Sequence, residues 1–168
     1  MYRIGDTLLY GTEGVCKIEE ICEMKIGGAK AEYYVLQPVY REGSKVFVPV
    51  GNELLTAKMR PILTAEEIGF MLRSVCEEDT PWIENAADRK AEFQKNLRSD
   101  DRMELLRMLR MLYLRRKKLQ ENGKRLRTND DQMLRDAQKL LGEEFAPALG
   151  ISRREVLEYL YRHMIEIP

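Results

Sequence analysis

Apolar and polar positions alternate in short runs through the first fifty residues, at 7–10, 15–23, 32–40 and 45–50, and this period of two predicts four β-strands. Turn chemistry separates the runs. Gly11 and Gly14 bracket a tight loop, Ile26-Gly27-Gly28-Ala29 offers residues that accept positive φ, and Arg41-Glu42-Gly43-Ser44 makes a short hairpin connection. Short strands at this spacing predict a small, strongly bent SH3-like or Tudor-like β-barrel, because a flat sheet of this size leaves its apolar face uncovered. Residues 59–63 are a candidate closing strand.

From Thr64 the period becomes helical. Thr64 with Glu67 forms a capping-box pattern for a helix to about Val75, with Ile68, Met71 and Leu72 on one face. The acidic run Glu77-Glu78-Asp79 leads to Thr80-Pro81, which has the pattern of a helix cap followed by proline at the first helical position. A helix over 81–98 then carries Ile83, Ala86, Phe93 and Leu97 on one stripe. Asp101 with Glu104 starts the next, which stops at Gly123. Another starts at Thr128 or Asn129 and closes at Pro147 and Gly150, with Met133, Leu134, Ala137, Leu141 and Phe145 inward. Ser152 with Glu155 caps the last, with Val156, Leu157, Leu160, Tyr161 and Met164 on its stripe. The expected fold class is α+β: a barrel domain over 1–63, a connecting helix and linker over 64–80, and a compact all-α bundle of four to five short helices over 81–168.

Charge alters this picture only when it is resolved along the chain. The formal net charge is zero, yet residues 89–127 hold 14 basic and 5 acidic side chains, a local excess of +9 between acidic flanks. Local potential, rather than the total, attracts a polyanion. On the helix that starts at Asp101, Leu105, Leu109, Leu112 and Leu119 share one side, and Arg107, Arg110, Lys117 and Lys118 the other. Lys124, Arg125 and Arg127 in the following loop extend the basic face, and Arg89 and Lys90 lie on the preceding helix. Such a face suits phosphates in a sequence-independent way, and it equally suits a solvated surface. Arg116 falls near the centre of the apolar stripe, so it must snorkel or pair with a carboxylate.

Enzyme chemistry has no foothold here. Gly27-Gly28 lacks the lysine and hydroxyl residue of a phosphate loop, Gly123-Lys124 is followed by Arg125, and the single histidine, His163, has no partner in sequence and suits a helix end. No catalytic residue, cofactor, metal site or small-molecule substrate is expected. Cys16, Cys22 and Cys76 lack paired spacing and are expected as buried or half-buried thiols. With neither a signal pattern nor a membrane-length apolar run, a cytoplasmic location is expected, and separately a monomer.

The segments Tyr2 to Tyr10, Glu13-Gly14-Val15, Glu32-Tyr33-Tyr34-Val35-Leu36 and Val46-Phe47-Val48-Pro49-Val50, in that order, resemble the polymerase-interacting domain shared by CarD, CdnL and the transcription-repair coupling factor. The later half, from Arg125 to Ala148, is similar to the helical domain of CarD and CdnL, through Leu134, Ala137, Leu140-Leu141 and Glu144-Phe145-Ala146. No helicase motor follows, so the stand-alone regulator is expected. The resemblance implies a bacterial transcription regulator that binds the RNA polymerase β subunit through its barrel and stabilises the open promoter complex at the upstream edge of the bubble. The implied polymerase contacts are Met24 and Phe47, with Lys25, Ile26, Lys45 and Val48 beside them. Some relatives carry arginine where Met24 and Phe47 stand, so a more apolar contact is expected here. Alternation leaves open whether Phe47 faces inward or outward.

Trp82, the only tryptophan, matches a family position that touches promoter DNA at the bubble edge. An inserted aromatic ring offsets part of the cost of unstacking a base step. The same ring could instead close the bundle core. The alternative function is a polymerase-bound adaptor whose helical domain recruits another protein.

Overall fold

The computed structural model describes residues 1–165. Contacts divide the chain into two units, Met1–Leu63 and Thr64–Pro168.

The first unit is a five-stranded antiparallel sheet of β1 (Thr7–Tyr10), β2 (Gly14–Ile26), β3 (Ala29–Pro38), β4 (Val46–Pro49) and β5 (Met59–Pro61), in the order β4-β3-β2-β1-β5. A 3-10 turn at Gly11–Glu13 joins the first two strands, and a one-turn helix, α1 (Glu53–Thr56), follows β4. Gly27 and Gly28 both have positive φ, which turns β2 tightly back into β3. Leu8, Cys16, Ile18, Tyr34, Leu36, Val48 and Met59 form the core. A bulge between Ile18 and Glu20 adds one residue to β2. The parity of the strand therefore shifts, and Ile18 and Ile21 both reach this core.

The expected barrel does not close. Residues 59–61 pair with β1, Leu9 opposite Arg60, on the edge farthest from β4. The chain between, capped into α1 by Asn52, carries β5 to the far side of the sheet, so β4 and β5 remain its two edges.

The second unit holds five helices among the described residues: α2 (Ala65–Glu77), α3 (Ala86–Arg98), α4 (Arg102–Glu121), α5 (Thr128–Leu149) and α6 (Arg153–Met164). Thr64/Glu67 and Ser152/Glu155 both form reciprocal capping boxes. The α2 helix, expected as a connector, is built into the bundle: Ile68, Leu72 and Val75 are buried, and it packs on α4, α5 and α6. Leu105, Leu106, Leu109 and Leu112 of α4 join Leu134, Leu141 and Phe145 of α5 and Val156 and Leu160 of α6 in the core. The α5 helix continues through Pro147, whose missing N–H falls in the last turn, and ends at Gly150 in the left-handed conformation.

One helix starts later than the sequence pattern predicts. Thr80-Pro81 starts nothing; Asn85 is the cap, accepting from the Asp88 N–H at 3.0 Å, and α3 begins at Ala86. The buried face of α3 is also different. Ala86 is exposed, and Arg89, Phe93 and Asn96 point inward.

Candidate nucleic-acid interface

Residues 78–84 run without helix or strand across the helical bundle, and arginines hold this strap at both ends. At its start, Arg107 donates to the carboxylate of Glu78 and, through Nη1, to Glu104 at 2.5 Å. The Arg107 contact holds the Glu78 carboxyl below its ordinary pKa. Arg110 donates to the Glu78 carbonyl at 3.3 Å, to the Thr80 hydroxyl at 3.2 Å and to the Met164 carbonyl at 3.2 Å.

At its end, Arg89 is 4% exposed and makes a bidentate pair with Asp130, 5% exposed, with both N···O distances 2.8 Å. Its Nη1 donates to the carbonyls of Ile83 at 2.9 Å and Glu84 at 3.3 Å. Those two carbonyls, spent on a guanidinium, no longer serve an early helix start.

Trp82 lies between these anchors, half-buried. Its ring meets Phe93 edge-on at 6.4 Å, with the guanidinium of Arg89 at 4.5 Å and that of Arg115 at 5.1 Å. Cation–π contacts of this kind contribute roughly 0.5–2 kcal/mol each. The ring opens onto a cavity of about 270 Å³ that Arg115, Leu119, Lys124, Arg125, Leu126 and Arg127 also line. Glu84 and the paired Asp130 contribute the acidic atoms. Arg115, Lys124, Arg125 and Arg127 have no carboxylate partner among the described residues.

The expected basic face is therefore redistributed. Arg107 and Arg110 are tethers of the strap, and Arg89 is a buried ion-pair residue, so none of the three offers a free guanidinium to a phosphate. Lys90, Lys117 and Lys118 are exposed but do not line the Trp82 cavity. Lys124, Arg125 and Arg127 do line it, and Arg115 joins them. Arg115 does not stand out in the sequence, because it sits on the flank of the apolar stripe of α4. Arg116 next to it lies over the Tyr113 ring at 5.1 Å, which accounts for a cation on the apolar side. His163 lies in the last turn of α6, its Nδ1 at 2.8 Å from the Tyr159 carbonyl and its ring stacked on Tyr159.

In the sheet unit, Phe47 is 43% exposed and points away from the core. Register puts Phe47 opposite Val35, and Met24 opposite Ala31, so pleating places Phe47 and Met24 on the same outer face. Lys25 and Ile26 are exposed at the tip of the β2–β3 hairpin, and Lys45 pairs with Glu19 at 3.1 Å. Val48 departs from its expected role: its side chain is fully buried and its backbone groups face Tyr34 of β3, as the Val50 N–H bond to the Glu32 carbonyl sets the parity, so the free backbone groups of the β4 edge belong to Phe47. Cys16 is buried, and burial pushes its thiol pKa up to about 11, while Cys22 and Cys76 are half-buried; all three are free.

Two family models match the chain, the CarD-like/TRCF RID domain over residues 2–63 and the CarD C-terminal domain over residues 71–161. The chain belongs to the CarD-like family. Comparison with curated proteins gives no match. The two CarD-type segments follow the two structural units, with the sheet in the first and the strap, Trp82 and its cavity in the second. CarD-like domains imply an RNA polymerase-interacting transcription factor. No helix among the described residues is long and apolar enough to cross a membrane.

Proposed function

We propose that this CarD-like chain is a non-enzymatic bacterial regulator that holds the RNA polymerase β subunit by its sheet unit and touches promoter DNA through the Trp82 cavity. The observation that carries the DNA reading is the juxtaposition of a strapped aromatic ring with four cations, Arg115, Lys124, Arg125 and Arg127, that lack carboxylate partners among the described residues. The cations bind phosphates whatever the sequence, and the ring supports a distorted base step. Phosphate contacts to duplex are available in closed and open promoter complexes alike, whereas a ring at the bubble edge acts only on the melted one. That difference is what shifts the equilibrium, about tenfold for each 1.4 kcal/mol. For the polymerase, the β4 edge supplies backbone hydrogen-bonding groups and Phe47, with Met24 on the same face, an apolar anchor.

Titration of full-length protein onto random and promoter duplexes at rising salt tests the DNA reading. Affinity should be similar on both and should fall with salt. Lys124→Glu/Arg125→Glu/Arg127→Glu should bind far more weakly, with a log–log slope shallower by roughly three. Salt-independent affinity, or no binding at low ionic strength, would leave an adaptor that recruits a protein in its place.

A further inference from the structure

The strap has a second side, and it closes a second cavity, of about 370 Å³, between itself, α3 and α4. Pro81, Ile83, Phe93, Met108 and Met111 give this cavity apolar walls, and Asp79, Asp88, Glu92 and Glu104 give it acidic groups. Its one cation, Arg107, is engaged by Glu78 and Glu104. Asp79, Asp88 and Glu92 form no ion pair with a described residue. A buried polar group lines the cavity as well: Asn96 is 5% exposed, and its amide makes no hydrogen bond with a described residue. No side-chain oxygen or nitrogen sealed from solvent lacks a partner among the described residues, so the Asn96 amide keeps contact with solvent, and Asn96 lines this cavity.

We propose that this cavity binds a guanidinium or ammonium group carried on a short aliphatic stem. Three carboxylates with no ion-pair partner among the described residues repel anions. A bare metal ion does not fit either, because no three carboxylate, histidine or cysteine groups among the described residues converge closely enough to hold one. A hydrated inorganic cation gains nothing from the walls of Phe93, Met108 and Met111. An organic cation uses every feature. Its stem lies on the apolar wall, where the two methionines adapt to its shape, its charge meets Asp88 and Glu92, and its N–H groups donate to the Asn96 carbonyl oxygen. The same chemistry is offered by a free alkyl guanidine and by an arginine side chain of a partner protein.

Trp82 is a built-in reporter, since it is the only tryptophan and its ring meets Phe93, a wall of the cavity, at 6.4 Å. Full-length protein is titrated at constant ionic strength with agmatine and, separately, with N-acetyl-arginine amide, following Trp82 emission and heat. At least one probe should saturate. Asn96→Leu and Glu92→Gln should each weaken that binding by about tenfold or more, with thermal unfolding showing that the variants are folded. The Glu92 variant, on the rim, keeps the test decisive should the Asn96 variant not fold. Saturation by agmatine points to a free small cation, and saturation by the arginine amide alone to a protein side chain. No saturation by either probe up to about 10 mM, an undiminished response in both variants, or an equal response to sodium chloride overturns the proposal.

Discussion

Arg89 uses four of its five N–H donors inside the protein, two on the Asp130 carboxylate and two on the carbonyls of Ile83 and Glu84, while its flat face supports Trp82. It is a positioning residue: the ion pair fixes α3 to α5, and the carbonyl contacts fix the strap. Removing one member of such a buried pair strands the other charge, at a cost of about 3–5 kcal/mol. Arg89→Met should accordingly lower the melting temperature by roughly 10 °C, and Arg89→Met/Asp130→Leu should recover much of it. A single variant with wild-type melting would show that the pair holds nothing.

Glu78 is the pH-dependent member of the same system. Its hydrogen bond from Arg107 depresses the folded-state pKa below the unfolded value, so the tether's contribution is complete at neutral pH and is lost as pH falls through the depressed value. Trp82 emission should therefore change below the ordinary carboxylate value of 4.5, and Glu78→Gln should remove that step. An identical acid transition in the variant would assign it to another group.

At the scale of elements, β4 is short and unpaired on its outer side, with Phe47 exposed and Val48 buried by the alternation of the strand. Phe47→Asp and Lys45→Glu leave the Leu8–Leu36 core untouched, so both variants should fold and lose polymerase in a pull-down. Undiminished capture would move the contact to another edge. Much of this level was legible in the sequence: period-two runs, the Gly27-Gly28 turn and both capping boxes correspond to elements found where their residues pointed. Non-local choices were not legible. Nothing near residues 59–63 says that they pair with β1 rather than β4, because that depends on the path taken through α1. The start of α3 was not legible because Thr80-Pro81 and Asn85 both satisfy local capping rules, and the competition is settled by Arg89, which takes the carbonyls between them. The basic stripe of α4 was real as a pattern. Yet identical guanidiniums became tethers or free cations according to whether a strap carbonyl or carboxylate lay opposite, as at Arg107 and Arg110 but not at Arg115.

On the scale of the whole molecule, one chain carries an edge strand and outer face in one unit and an aromatic ring with its cations in the other. The proposed division of labour requires Trp82 to act on melted DNA rather than as a core residue. The ring is half-buried and rests against Phe93 and two guanidiniums, so Trp82→Ala should cost about 1–2 kcal/mol of stability, short of the ~3–5 kcal/mol of an emptied core site. The most direct measurement is the lifetime of open complexes on a weak promoter, with wild-type protein and with Trp82→Ala, alongside polymerase capture and thermal unfolding of the same preparations. The expected result is a folded variant that captures polymerase normally and no longer prolongs the open complex. A folded variant that prolongs it as well as wild type, or one whose melting temperature collapses, would contradict it.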